Sequence, residues 1–291
     1  MPPATWTIRH TRIEEQIVPG KRLGRHIRVD SRDARYPYLR RIGVPLAAVK
    51  HDRRVPIFDQ GNVGSCTGNA ETGVLGTDPF FSSLPSGISL TEAEALRLYS
   101  AAESLDGDGP YPPQDNGSSG PSVCQAAKNA GLISGYTHAA TVDDMASALQ
   151  SVPVIVGVNW YTSFDDPDSS GVITISPGAT VRGGHEFEVY GVDPVAQMFY
   201  ADQSWGLSYG IDGTFSFSWD TMAQLLAEQG DCTVSVPRSQ PAPVPTPPPP
   251  GDDPDTALWD IAGPWCAQTR TRPDLVVLKG ALDTWAAAKQ P

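Results

Sequence analysis

The chain changes period near its middle, and that change limits the folds open to it. Before the change, three segments read as helices: Cys66–Gly76, Thr91–Glu103 and Ser122–Ala130. Gly131 follows the third, as glycine commonly does past a helix end. After the change the segments read as strands. Val154–Trp160, entered through Pro153, is a short apolar run rich in β-branched residues. Gly184–Val192 alternates, with His185, Phe187 and Val189 on one face and Glu186, Glu188 and Tyr190 on the other. Met198–Ala201 and Gly213–Ser218 continue the pattern, and Asp220–Gln229 closes it with a helix. Helices first and antiparallel strands after imply an α+β fold with two lobes.

This body spans residues 49–236. It is bounded at its C-terminal side by residues 237–254, nine of which are proline. Such a segment reads as a stiff, extended linker. Residues 255–291 then form a short tail, in which Pro273 suits the first position of a helix with Leu275, Leu278, Leu282 and Trp285 on one side. The tail also holds Trp259 and Trp265. It is too small to be a robust domain alone, so it reads as a piece that docks on a partner or a cell-wall component. Residues 1–48 read as an extended arm, with no sustained helical period.

Charge divides the chain. Residues 1–54 carry 13 basic and 5 acidic side chains, a net +8, whereas residues 55–236 carry 3 basic and 22 acidic, a net −19. A body this acidic repels phosphate backbones and anionic membranes, so no nucleic acid partner is expected. The arm suits the acidic body of its own chain. If it crosses the site it acts as an inhibitory propeptide; if it lies along the back it is a structural strap, and the strap is the expectation. No apolar run approaches the ~18 residues that span a bilayer. The N-terminus shows no apolar secretory region, which leaves assembly into a phage particle or release from a host cytoplasm open. The four cysteines, Cys66, Cys124, Cys232 and Cys266, form no CxxC pair, and no HExxH helix occurs. No metal and no cofactor are therefore expected. Asp106-Gly-Asp108-Gly109 lacks the later ligands of a calcium loop and reads as a turn.

The chemistry concentrates at Cys66. A polar, glycine-rich stretch from Asp59 to Ser65 ends where a helix begins. A thiol at a helix N-terminus feels the positive end of the helix dipole, which favours thiolate. The N–H of Cys66 is a candidate oxyanion donor there, and the Gln60 amide can curl back across the loop as a second. Read alone, Gly64-Ser-Cys-Thr-Gly68 also fits a nucleophile elbow, but the residues before it are not a buried apolar strand. His185 stands apart from His10, His26, His51 and His138, which have no comparable partners in the sequence.

Asp59-Gln60-Gly61-x-x-Gly64-Ser65-Cys66 resembles the active-site segment of papain-like cysteine peptidases. Gly183-Gly184-His185, opening a strand that ends Tyr190-Gly-Val-Asp193, is similar to that family's histidine strand. Ser204-Trp205-Gly206 is similar to its Asn-Ser-Trp-Gly segment, with Gln203 in place of the asparagine. Gly131-Leu-Ile133 and Pro153–Tyr161 resemble bacterial and phage members. The resemblance implies a helical lobe followed by an antiparallel, barrel-like lobe, with the active site in the cleft between them. It implies peptide or protein substrates, with Cys66 as nucleophile, His185 as acid and base, Gln203 orienting the imidazole and Gln60 binding the oxyanion. It places Asn116, Gly117, Ser118, Gly184 and Trp205 against the substrate. Val63 stands where many members have a half-cystine, and Thr67 where they have tryptophan. The linker and tail suit a lysin that cuts peptidoglycan peptides. The alternative is an inactive papain-like fold used for structure or adhesion, with Gln203 as its sign.

Overall fold

The computed structural model describes residues 8–30, 37–40 and 45–238. The proline-rich linker beyond Arg238, the tail with its expected helix, and Cys266 lie outside the described residues. In the arm, β1 (Ile8–Thr11) pairs antiparallel with β2 (Ile27–Asp30). The body begins with β3 (Val49–Lys50) and continues with four helices: α1 (Cys66–Leu75), α2 (Phe80–Ser83), α3 (Glu92–Asp106) and α4 (Gly120–Asn129). The sheet strands follow as β4 (Gly135–His138), β5 (Val154–Tyr161), β6 (Val181–Asp193), β7 (Met198–Asp202), β8 (Thr214–Ser218) and β9 (Asp231–Val236). Helix α5 (Val142–Ala148) precedes β5, and α6 (Trp219–Ala227) precedes β9.

The sheet runs β4-β9-β5-β6-β7-β8, every neighbouring pair antiparallel, with β3 joined to the far end of β6. Among the described residues β4 and β8 remain its edges, so it is an open sheet and not the closed barrel-like form expected. β9, which lies between β4 and β5, alternates Asp231, Thr233 and Ser235 with Cys232, Val234 and Val236, yet Thr233 and Ser235 are buried along with Cys232 and Val234.

Helix α1 is the centre of the molecule. All ten of its residues are buried, and it packs on α3, α4 and β6. Glycines make this approach possible. A Cβ on Gly68 would lie 2.2 Å from the Ala95 carbonyl oxygen and 2.8 Å from the Tyr99 Cβ. Because α1 covers one face of β6, Glu186 and Glu188 are buried there rather than facing water as a half-polar strand would suggest. A buried carboxylate needs a partner. Glu188 meets Arg53 at 2.5 Å, and Arg53 also reaches Asp202 at 2.9 Å. Burial, with Asp202 beside it, still pushes the Glu188 carboxyl up to about 8 against the pull of Arg53. The opposite face of β6 carries His185, Phe187 and Val189 into an aromatic core built around Trp160. No described helix is long and apolar enough to cross a membrane.

Gly68→Ala tests the α1–α3 contact. Alanine adds about 1 kcal/mol of helix propensity, yet the clash with Ala95 should leave the protein less stable by roughly 1–3 kcal/mol. A urea midpoint that stays put or rises would contradict this packing.

Candidate active site

The loop before α1 is held by its own polar groups. Gly61, at φ 57°, takes the left-handed turn, and its N–H donates to Asp59 Oδ1 at 2.9 Å. Gly64 N–H donates to Asp115 Oδ1 at 2.9 Å. The loop is also joined to the segment after β7. Gln60 N–H donates to the Ser204 carbonyl and Gly206 N–H to the Phe58 carbonyl, both at 2.9 Å. Gln60 is fixed at both ends of its amide: Nε2 donates to the Val63 carbonyl at 2.8 Å, and Oε1 accepts from Ser204 Oγ at 2.5 Å.

Cys66 is the first residue of α1 and has no exposed surface. Burial pushes its thiol well above the usual range, and the nearby Glu186 and Glu15 carboxylates add to this. Hydrogen bonds from the backbone at Glu186 and Thr67 act the other way. Glu186 is the residue after His185, so the thiol lies against the stretch of β6 that carries the imidazole. On β6, His185 Nε2 lies 2.5 Å from Gln203 Oε1. An amide oxygen only accepts, so this pairing assigns the ring proton to Nε2 and leaves Nδ1 as a bare acceptor. Nδ1 has no other partner among the described residues. The ring lies over Trp205 with centroids 5.0 Å apart and meets the face of Trp160 at 4.8 Å. Burial lowers its pKa to about 3, with Arg182 adding to the effect and Gln203 opposing it. The extra methylene of Gln203 relative to asparagine does not carry its oxygen out of reach of the imidazole.

Residues 12–26 of the arm do not lie along the back as a strap but cross the candidate site, whereas residues 37–40 run along β4 and α5, where Tyr38 N–H donates to the His138 carbonyl at 2.7 Å and Arg40 pairs with Asp143. Trp205 Nε1 donates to the Arg22 carbonyl at 2.9 Å. The N–H groups of Gly24 and Arg25 both donate to the Gly184 carbonyl, at 3.0 and 2.9 Å. On the other wall, Ser118 N–H donates to the Gly24 carbonyl at 2.8 Å and His26 N–H to the Ser118 carbonyl at 2.6 Å. Gly24 is required for this path, since a Cβ there would lie 2.0 Å from the Gly64 carbonyl oxygen. The reason for the path is hydrogen bonding: Gly184 and Ser118 offer backbone groups that a crossing peptide can use.

All five residues expected to touch substrate therefore meet the arm. Gly184, Ser118 and Trp205 bind it directly as above. Asn116 Oδ1 accepts from Arg12 at 3.1 Å, and a Cβ on Gly117 would fall 2.3 Å from the Gly24 carbonyl oxygen. Charge reinforces the seat: Arg22 pairs with Asp115, Lys21 with Asp166 and Arg12 with Asp108. Reading the sequence missed Arg25, Glu186 and Asp231, which cluster beside Cys66. The only signal for them was the arm's run of basic residues around Gly24 and a glutamate directly after the histidine.

No protein-family model and no curated protein matches the sequence. Among solved structures, the chain is similar to xylellain, a cysteine protease from Xylella fastidiosa, with a TM-score of 0.60 and 20% identity, over 79% of this chain and 100% of that one. It is also similar to digestive procathepsin L 3 of the Tenebrio molitor larval midgut, with a TM-score of 0.51 and 16% identity, over 69% of this chain and 73% of that one. A buried helix with Cys66 at its start, followed by an antiparallel sheet that carries His185, is arranged here in the papain-like fold of those cysteine proteases.

Proposed function

We propose that this chain is a cysteine peptidase working in a cleft between a helical and a sheet lobe, and that its N-terminal arm holds it latent. One observation carries the reading. An extended peptide, Arg22–His26, already runs past Gly64, two residues before Cys66, and past Gly184, next to His185, hydrogen-bonded to Ser118 on one side and Gly184 on the other. That is the position a substrate would take.

With the arm displaced, water reaches both groups and relieves the burial that keeps thiol and imidazole neutral. A proton passes from Cys66 Sγ to His185 Nδ1, giving a thiolate and an imidazolium. Gln203 Oε1 holds the ring through Nε2–H. The thiolate attacks the peptide carbonyl carbon, and the Cys66 N–H and Gln60 Nε2 bind the oxygen as it becomes negative. The imidazolium protonates the leaving amine, and an acyl-enzyme remains. Water then attacks the acyl carbon, His185 takes its proton, and the thiolate leaves. The short contact between Gln203 and His185 favours this reading over an inactive scaffold. The linker and tail beyond Arg238 would suit delivery to a bacterial cell wall or to a phage particle. Those residues lie outside the described ones, and the peptidase reading does not depend on them.

Cys66→Ala should abolish both hydrolysis and labelling by an epoxide probe while thermal stability is kept; residual wild-type hydrolysis would remove Cys66 from the role. Gln60→Ala should slow turnover by about 10²-fold, as loss of one oxyanion donor does, and an unchanged rate would exclude it as a donor. Gly24→Ala in the full chain should expel the arm and raise the rate at which Cys66 is labelled severalfold. A labelling rate equal to that of the native chain would contradict latency by this segment.

The covered site also predicts a pH response. A histidine whose pKa is depressed in the arm-seated form stabilises that form fully above its ordinary value of 6.5, and the contribution is lost as pH falls toward about 3. Acid should therefore favour release. Followed by NMR, the His185 ring should stay neutral down to about pH 3 in the native chain and carry its second proton at neutral pH, beside the thiolate, once the arm is out. A ring that carries that proton at neutral pH in the native chain would show the site to be open.

A further inference from the structure

We propose that the pocket filled by Arg25 is the substrate-selecting pocket of this site, built to take the guanidinium of an arginine-bearing peptide, and that Arg25 anchors the arm by occupying it. This rests on the peptidase reading and adds to it the class of substrate.

The pocket is a rung of three residues across the sheet. Gly157 on β5 is directly opposite Asp231 on β9 and Glu186 on β6. Directly opposite residues share a face, so two carboxylates flank a position with no side chain. The missing side chain is the space. A Cβ on Gly157 would lie 2.6 Å from Glu186 Oε2, 2.7 Å from Arg25 Nε and 2.9 Å from Asp231 Oδ2. Gly120, at the start of α4, does the same from the other side, where a Cβ would lie 2.5 Å from Glu186 Oε1.

Arg25 enters this space with its side chain wholly buried. Its Nη2 lies 2.5 Å from Asp231 Oδ2 and donates to the Gln229 carbonyl at 2.6 Å. Its Nε and Nη1 have no hydrogen-bond partner among the described residues, and neither has either carboxylate oxygen of the fully buried Glu186. Donors and acceptors thus face one another unpaired within the pocket. A planar, forked cation can use two such acceptors at once, which a lysine ammonium cannot do with the same geometry. Leaving the buried Glu186 without the cation it faces is costly, so the pocket discriminates by penalty as well as by attraction.

The arm's backbone contacts to Gly184 and Ser118 do not read sequence, since any peptide presents those groups. Arg12, Lys21 and Arg22 make their ion pairs with side chains still partly in solvent, whereas the Arg25 side chain is wholly buried in its pocket. The side chain of Arg25 is where identity is most strictly tested. The pocket also touches the chemistry, since Glu186 follows His185 in β6 and stands among the groups nearest the Cys66 thiol.

The test uses the full chain carrying Gly24→Ala, so that the cleft is open and the pocket intact. Peptides differing at one position are offered for hydrolysis. In parallel, iodoacetamide labelling of Cys66 is followed in the presence of an acetylated arginine peptide amide or its leucine counterpart. Arginine peptides should be cut at least about tenfold faster than leucine peptides, a difference of the size a buried polar pocket commonly achieves or exceeds, with lysine between them. The arginine amide alone should protect Cys66. Asp231→Asn and Glu186→Gln should each lower the arginine-to-leucine ratio. Protection by arginine without any hydrolysis would keep the pocket and overturn the peptidase reading. Hydrolysis with neither preference nor protection would overturn the pocket and keep the peptidase. Arg25→Ala, made in the otherwise native chain, should by itself expose Cys66 to label; an arm that stays seated would show that the pocket anchors nothing.

Discussion

The face-to-face contact of α1 with β6 is the constraint on which the remaining structure depends. It sets the first residue of the helix, Cys66, beside the strand that carries His185, and it does so with a helix buried along its whole length. Helix and strand can come so close because α1 is built of small residues. Gly68 meets α3, while Gly73 leaves room for Glu188 and Arg53, whose atoms would lie 2.7 and 2.8 Å from a Cβ there. A larger residue at either place would push α1, and Cys66 with it, away from β6 or from α3.

That same contact buries charge. Glu71 of α1 and Glu186 and Glu188 of β6 all lie in the interior. Burial pushes the Glu71 carboxyl up to about 7, with hydrogen bonds from Ser235 and Cys124 opposing. The buried cations that answer Glu186 and Glu188, Arg25 and Arg53, both come from the basic first 54 residues. The division of charge along the chain is thus partly an internal matter, since the basic segment supplies counter-ions to an acidic core. It also gives the arm a reason to stay. To leave, it must withdraw a guanidinium from two carboxylates and give up its backbone partners on both walls.

The site residues differ in how legible they were. Cys66 could be read because a polar glycine loop followed by helical spacing has few other uses. His185 could be read because its strand alternates cleanly and a Ser-Trp-Gly segment follows. Gln203 was legible as a position, but whether its longer side chain reaches the imidazole depended on the path of the chain after β7. Glu186 was visible as the polar face of an alternating strand, and alternation alone placed it toward water. The helix that covers it lies more than a hundred residues earlier in the chain, and no local pattern reports such a contact.

The sequence by itself determined α1, α3 and α4, the strands β5 to β8, the start of α1 at Cys66 and the opposition of a basic arm to an acidic body, because these follow from short-range period, turn chemistry and composition. Only the tertiary structure decided that the sheet stays open, that both faces of β6 are covered, and that residues 12–26 of the arm pass between Ser118 and Gly184. It also decided that Asp231, Gly157 and Glu186 stand abreast as a pocket for Arg25. Those outcomes depend on backbone partners and strand register between residues far apart in the chain, where hydrogen bonding and burial, rather than local propensity, select the path.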